Sequence, residues 1–257
     1  MLLAVDVGNT QTVLGLFEES LLLRHWRVAT NNTRTGDELA IMVFNLLELS
    51  GLSRSDITAC VLASVVPRLN SEYHSMCTLH LGFEPLIVAP GVKTGMPILT
   101  NNPREVGADL VVDGVAAYEA YGGPCIVVDF GTATTFSAIS AKGEYLGTAI
   151  APGIDISIDA LASRAAKLSK IELVDPGTVI GKSTVQAMQA GAIFGFAGQV
   201  DGIVDRMRKE LGGKAVAVAT GGLSTLIFEH ARSLDRLDGM LTLKGLEIIY
   251  QRSLETR

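Results

Sequence analysis

Two short segments of this sequence place an aspartate, a glycine and a threonine directly after an apolar run. Asp6 follows Leu-Leu-Ala-Val and precedes Val-Gly-Asn-Thr, and Asp129 follows Cys-Ile-Val-Val and precedes Phe-Gly-Thr-Ala-Thr. The glycine lets the backbone approach a ligand closely, successive N–H groups in such a turn can surround phosphate oxygens, and the threonine hydroxyl can donate. The aspartate suits a hydrated Mg²⁺, which takes one or two carboxylates together with phosphate oxygens. Both segments therefore predict the binding of phosphate groups and their metal ion.

The spacing of the two segments strengthens this prediction. Asp129 follows Asp6 at an offset close to half of the 257 residues. An ordinary hairpin turn would explain either segment alone, but its repetition at half-chain spacing indicates an internal duplication. Two such turns that face each other could hold the β- and γ-phosphates of a nucleotide from both sides.

A third candidate is the sequence Gly107-Ala108-Asp109, which lies within a helical pattern. A glycine inside a helix costs about 1 kcal/mol relative to alanine, so close approach of a ligand to the backbone is one explanation for it. The neighbouring carboxylate could accept a proton from a substrate hydroxyl, which is the role of the base in phosphoryl transfer. An ordinary exposed helical aspartate is the alternative interpretation.

Two further sets of small residues leave alternatives open. Gly221-Gly222 suits a helix N-terminus close to a nucleotide, although a plain strand-to-helix turn explains it equally well. A long predicted helix also carries small residues at spacings of three or four: Ala187, Gly191, Gly195, Gly198 and Gly202. This stripe could pack against the protein's own sheet or against a second subunit.

The elements that must position these groups alternate between strands and helices. The apolar patterns predict strands at 2–5, 12–17, 21–28, 59–63, near 88, 125–128, 133–139, 144–150 and 215–219. Helices are predicted at 36–49, 68–81, 101–121, 184–211 and near Leu246. This order indicates an α/β protein made of two similar βββαβα halves, with lobes at 1–115 and 116–257 and a cleft between them.

Composition restricts the class of protein. Hydrophobic residues make up 48% and charged residues 19%, which provides for a buried core. The net charge of −6 argues against a nucleic-acid partner, and no apolar run approaches the roughly 20 residues that span a bilayer. The cysteines are three in number and form no C-x-x-C pair. A disulfide framework is therefore not expected. A cytoplasmic location is expected instead.

Segments distributed along the chain match the motifs of one known family in order. They are Asp6-Val-Gly-Asn-Thr10, Gly95, Asn102-Pro-x-Glu-Val-Gly-Ala-Asp109, Asp129-Phe-Gly-Thr-Ala-Thr-Thr135, Ala151-Pro-Gly153, Gly181-Lys-Ser-Thr184, Gln189-Ala-Gly191 and Ala219-Thr-Gly-Gly222. Together they resemble type III pantothenate kinase over essentially the whole chain. The Asp-x-Gly-x-Thr turns alone would indicate only the wider superfamily.

The resemblance implies a duplicated actin/hexokinase-like (ribonuclease H-like) ATPase fold with the active site in the cleft between the two lobes. It implies transfer of the ATP γ-phosphate to pantothenate, giving 4′-phosphopantothenate in the first step of coenzyme A synthesis. It also implies a homodimer that uses Mg²⁺ and a monovalent cation, K⁺ or NH₄⁺.

The same resemblance assigns roles to individual residues. It implies ATP contacts by Thr132 and by the first turn: Asp6, Val7, Gly8, Asn9, Thr10, Gln11, Thr12 and Val13. It implies pantothenate contacts by Thr100, Gly107, Ala108, Asp109, Leu110 and Thr184. Asp109 would be the general base, Asp129 would bind the monovalent cation, and Asp6 is the candidate ligand for Mg²⁺. The family usually has Arg where this chain has Leu110 and Tyr where it has Thr100.

Two other functions stay compatible with these motifs. One is a catalytically weak relative that serves as a binding or regulatory protein. The other is an actin-fold kinase or phosphohydrolase with a different substrate. An assay of ADP release with and without pantothenate separates all three.

Overall fold

The computed structural model describes residues 1–165 and 168–255, which form two compact units. The first unit contains residues 1–96, 101–116 and 242–255. The second contains residues 97–100, 117–165 and 168–241. Each unit holds one five-stranded sheet.

The sheet of the first unit has the order β3-β2-β1-β4-β5. Its strands are β1 (Leu2–Val7), β2 (Gln11–Glu18), β3 (Leu21–Ala29), β4 (Ala59–Ser64) and β5 (Leu86–Ile87), and its helices include α1 (Gly36–Glu48), α2 (Pro67–Met76) and the start of α3 (Ala108–Tyr121). β1 pairs antiparallel with β2 and parallel with β4, so it lies in the centre of the sheet. This position explains its continuous apolar sequence, because both faces of a central strand are covered.

The sheet of the second unit repeats this arrangement in the order β10-β9-β6-β7-β8. The strands are β6 (Cys125–Phe130), β7 (Ala133–Ile139), β8 (Tyr145–Pro152), β9 (Val216–Thr220) and β10 (Arg236–Leu237), and the helices include α4 (Ile154–Arg164), α5 (Thr184–Glu210) and α6 (Ser224–Phe228). β6 pairs antiparallel with β7 and parallel with β9, as β1 does with β2 and β4. The predicted duplication and the α/β class are confirmed.

The last helix, α7 (Leu241–Leu254), packs mostly with the first unit. The Leu243 side chain fills the space beside Gly15, where an added Cβ would lie 2.8 Å from Leu243 Cδ1. Arg252 Nη1 donates to the Thr94 carbonyl at 2.8 Å. The sequence-based division assigned all of 116–257 to one lobe, whereas these contacts join residues 242–255 to the first unit.

The predicted continuous helix over 101–121 is wrong. A short 3₁₀ turn covers Pro103–Glu105 and α3 starts only at Ala108. Between them Val106 adopts an extended conformation with ψ of 124°. The sequence patterns also did not predict α4, α6 or β10.

Within residues 1–165 and 168–255, no helix combines the length and the apolar character that crossing a membrane requires.

Candidate functional site

The first candidate turn connects β1 to β2 and consists of Gly8, Asn9 and Thr10. Asp6 lies near the end of β1, opposite Val13 of β2. The Gly8 N–H donates to the Gln11 carbonyl at 3.0 Å, which closes the turn. The residues from 9 to 11 are exposed, so a ligand could reach this part of the turn.

The side chains of this segment divide between the two faces of the sheet. Val7 is fully buried and Thr12 is 2% exposed, so both point into the first unit. A ligand at the turn could contact these two residues only through their main chain. Asn9, Thr10 and Gln11 have exposed side chains that a ligand could reach.

The second candidate turn connects β6 to β7 and consists of Gly131 and Thr132. Asp129 lies opposite Thr135 of β7 and beside Thr220 of β9. The Gly131 N–H donates to the Ala133 carbonyl at 3.0 Å. The turn thus repeats the first one, with one residue fewer between the strands.

Two glycines from other segments approach this second turn closely. Gly221, which follows β9, has a φ of +93°, and a Cβ there would strike the Asp129 carboxylate and lie 2.6 Å from Phe130 N. Gly153, which follows β8, donates its N–H to the Thr132 carbonyl at 3.2 Å. A Cβ on Gly153 would lie 2.6 Å from the Gly131 carbonyl oxygen. Only glycine fits either position without displacing the turn.

The sequence motif Ala151-Pro-Gly153 does not indicate a role for Gly153. The available signal was the Pro-Gly pair immediately before α4, which indicates a turn. This pattern does not reveal the contact between Gly153 and Gly131, because Gly153 follows β8 and Gly131 follows β6.

Asp109 stands in the first turn of α3, not in the middle of a helix as predicted. Its Oδ1 is buried and has no hydrogen-bond partner among the residues that the structure describes. Burial raises the pKa of the Asp109 carboxyl, while hydrogen bonds from backbone N–H groups at 109 and 110 act in the opposite direction. A Cβ on Gly107 would strike Oδ1, so the missing side chain at Gly107 makes room for this carboxylate.

Leu110, the neighbour of Asp109, is only 9% exposed. The Leu110 Cγ would lie 3.7 Å from a Cβ on Gly107, so Leu110 and Gly107 lie on one side of the start of α3. The apolar side chain offers no charge or hydrogen bond to a ligand at this place.

Thr100 and Thr184 both belong to the second unit. Thr100 follows a segment that is tied to β8, since Leu99 N donates to the Tyr145 carbonyl at 2.8 Å. The Thr100 hydroxyl oxygen is buried and has no hydrogen-bond partner in the described parts of the chain. Thr184 is exposed and begins α5, where the preceding Ser183 caps the helix by accepting from Gln186 N at 3.2 Å.

The stripe of small residues on α5 is open in its central part, from Gly191 to Gly198. An added Cβ at Gly191, Gly195 or Gly198 would meet no atom within 4 Å. Among the described residues the stripe is therefore not packed against a sheet, which was one of the two alternatives.

The described residues contain no group of three or more His, Cys, Asp or Glu side chains that could hold a metal ion. A Mg²⁺ ion at these turns would need phosphate oxygens and water to complete its six ligands. Asp6, half-buried at the end of β1, can supply one carboxylate for such a shared site.

Comparison with protein families matches residues 2–206 to type III pantothenate kinase. A type III pantothenate kinase of Moorella thermoacetica is 59% identical over 253 residues, which cover 98% of this chain and 100% of that protein. The corresponding protein of Myxococcus xanthus is 52% identical, covering 98% of this chain and 99% of its own length. That of Listeria welshimeri is 49% identical over 256 residues, covering 100% and 99%.

Solved structures of distant proteins share the fold. Component A of the (R)-2-hydroxyglutaryl-CoA dehydratase of Acidaminococcus fermentans matches with a TM-score of 0.58 at 14% identity, covering 99% of this chain and 98% of that chain. The activator of the 2-hydroxyisocaproyl-CoA dehydratase from Clostridium difficile matches with a TM-score of 0.53 at 11% identity, covering 99% and 96%. The fold is the duplicated actin/hexokinase-like ATPase fold.

Proposed function

We propose roles for three groups of residues in this chain, which belongs to the type III pantothenate kinase family and transfers the γ-phosphate of ATP to pantothenate. The product is 4′-phosphopantothenate, and the reaction is the first step of coenzyme A synthesis. The three groups are the first turn with Asp6, the second turn with Asp129, and the start of α3 with Asp109.

The first turn binds the phosphates of ATP. The exposure of Asn9 and Thr10 supports this role, because N–H groups in a tight turn can surround phosphate oxygens. Thr132 of the second turn supplies a further contact through its hydroxyl or main chain. Asp6 would supply one carboxylate to Mg²⁺, which when bound would neutralise charge on the phosphates.

Asp109 is the general base. The observation that supports this role is its buried Oδ1, which has no hydrogen-bond partner in the described residues and a pKa raised by burial. A base with a raised pKa accepts a proton more readily, so it suits an alcohol substrate. The proton of the pantothenate hydroxyl passes to Asp109 while the hydroxyl oxygen bonds to the γ-phosphorus. The bond from that phosphorus to the β–γ bridging oxygen breaks, and ADP leaves.

Pantothenate contacts the start of α3 through Gly107, Ala108 and Leu110, and it contacts Thr100 and Thr184 through their hydroxyl groups. The buried Thr100 hydroxyl oxygen supports this assignment, since a substrate group could satisfy it.

Asp129 binds the monovalent cation, K⁺ or NH₄⁺. Its carboxylate lies close to the backbone of two glycines, since a Cβ at Gly131 would lie 3.3 Å from Oδ2 and a Cβ at Gly221 would strike Oδ1.

The protein acts as a homodimer in the cytoplasm. The open stripe of small residues on α5 supports a subunit contact, since it allows another backbone to approach closely. The cysteines Cys60, Cys77 and Cys125 are all buried free thiols, and free thiols persist in a reducing compartment.

Release of ADP tests the function directly. ATP and Mg²⁺ are supplied with and without pantothenate, and the phosphorylated product is followed by mass spectrometry. Pantothenate-dependent ADP release with equal formation of 4′-phosphopantothenate is expected. ADP release without pantothenate would indicate a phosphohydrolase, and nucleotide binding without turnover would indicate a binding protein.

A further inference from the structure

A row of two hydroxyl groups leads to the main chain of the first turn. The Thr30 hydroxyl donates to the Gly8 carbonyl at 2.8 Å, and the Thr12 hydroxyl lies 2.8 Å from the Thr30 hydroxyl. Thr12 is 2% exposed and Thr30 is half-buried, so only the Thr12 end of this row is shielded from water.

The direction of the hydrogen bonds in this row is fixed by its last acceptor. A carbonyl can only accept, so the single hydroxyl proton of Thr30 is directed at Gly8. Thr12 must then donate to Thr30. The two hydrogen bonds polarise one another, which strengthens both.

Thr30 holds the turn at a second point as well. Its backbone N–H donates to the Thr10 carbonyl at 2.9 Å. The carbonyls of Gly8 and Thr10, the first and last residues of the turn, are therefore both directed at one residue. The C=O and the following N–H of a trans peptide point in opposite directions, so the Asn9 N–H is directed away from Thr30.

The duplicated fold shows that this position is not incidental. Thr30 follows β3, whose Ala29 pairs with Gln11, and Gly153 follows β8, whose Pro152 pairs with Ala133. Thr30 N and Gly153 N thus make the same bond to the last carbonyl of their respective turns, at 2.9 and 3.2 Å. Only the first copy adds a side-chain hydroxyl that reaches the first carbonyl of its turn.

We infer that Thr30 is a positioning residue for nucleotide binding: its hydroxyl fixes the Gly8–Asn9 peptide so that the Asn9 N–H is presented to a phosphate oxygen. The inference rests on the proposed binding of ATP phosphates at this turn. Thr30 itself need not touch the nucleotide, because it acts through the Gly8 carbonyl.

Thr30→Val tests the inference, since valine keeps the shape of threonine and lacks the hydroxyl. Steady-state kinetics with each substrate varied separately should show kcat/KM for ATP reduced about 3- to 10-fold, the equivalent of one ordinary hydrogen bond. The KM for pantothenate should stay unchanged. Thr30→Ser, which keeps the hydroxyl, should restore most of the loss.

Thr58→Val is the matched control. The Thr58 hydroxyl also donates to a main-chain carbonyl, that of Met1 at 3.3 Å, at the opposite end of β1. This variant should keep the wild-type KM for ATP. If Thr30→Val does not fold, Thr30→Ala removes the same hydroxyl without adding a methyl group in its place.

Direct binding of ADP, measured by calorimetry without pantothenate, separates this inference from the proposed function. Weaker ADP binding in Thr30→Val supports the inference even if the wild type phosphorylates no pantothenate. A wild-type enzyme that phosphorylates pantothenate, together with an unchanged KM for ATP and unchanged ADP affinity in Thr30→Val, would overturn it. Equal losses in Thr30→Ser and Thr30→Val would also overturn it, since the hydroxyl would then not be the cause.

Discussion

The two turns of the duplicated fold are built alike and secured differently. Each follows the central strand of its sheet, and each is held by the N–H of the residue after the third strand, Thr30 or Gly153. In the first unit a hydroxyl adds a hydrogen bond to Gly8. In the second unit the backbone itself comes so close to Gly131 that a side chain has no room. The same fold thus positions one turn by a side-chain bond and the other by close packing.

This difference has a consequence for mutations. A hydrogen bond can be removed without creating a steric clash. A substitution at Thr30 should therefore make the position of the first turn less precise and leave the fold intact. Close packing tolerates no addition, since overpacking typically costs about 1–3 kcal/mol. The second turn should therefore be the more sensitive of the two to small substitutions.

The largest expected effect lies outside both turns. Asp109→Asn keeps the shape of the side chain and removes its ability to accept a proton. We expect kcat to fall by roughly 10²–10⁴, with ADP affinity nearly unchanged, because the turns are intact. Single-turnover kinetics and calorimetry on the same preparation measure both. Near-normal turnover in Asp109→Asn would remove this residue from the mechanism, and a lost nucleotide affinity would mean that the turns and α3 do not act separately.

Substitution at the second turn comes next. In Gly153→Ala the new Cβ would lie 2.6 Å from the Gly131 carbonyl oxygen, so the turn must shift. We expect a decrease in kcat/KM for ATP of about 10-fold or more, since a cost of 1.4 kcal/mol corresponds to that factor. The melting temperature should also decrease.

Gly239→Ala is the control for this substitution, because a Cβ at Gly239 would meet no atom within 4 Å. It should behave as the wild type. If Thr30→Ala were more damaging than Gly153→Ala, the contrast between a bonded turn and a packed turn would be contradicted.

The pH dependence of kcat should report Asp109. Burial raises the pKa of its carboxyl, and only the ionised form accepts a proton. The rate should therefore rise with pH through this pKa and fall about tenfold for each pH unit below it, with a midpoint above the ordinary value of about 3.9. Rate measurements at saturating substrates, with stability checked at each pH, give the midpoint. A midpoint at or below the ordinary value would contradict the effect of burial.

The smallest effect concerns assembly through the second unit. A leucine at Gly195 would meet no atom of the described chain at its Cβ, so Gly195→Leu should not lower the stability of the monomer through a clash. If the stripe is a subunit contact, light scattering should give about 27.1 kDa for the variant and twice that mass for the wild type. Equal masses for the two proteins would exclude the stripe from the contact.

Part of the site could be predicted from local sequence. The two Asp-x-Gly turns were visible because an apolar strand, a glycine and a second strand follow one another directly, and pairing of adjacent strands confirmed both. Asp109 was proposed as the base because of its neighbouring glycine, and this role stays a prediction; its predicted place in the middle of a helix is wrong. The extended Val106 separates the 3₁₀ turn from α3, and the helical pattern around it concealed this break.

The sequence by itself determined the α/β class, the duplication and the family, because periodicity and short motifs depend only on neighbouring residues. Only the tertiary structure decided what holds each turn. Thr30 reaches Gly8, and Gly153 reaches Gly131, because the third strand of each sheet pairs with the second and ends beside the turn. These contacts join residues that are far apart in the chain, so no local pattern encodes them.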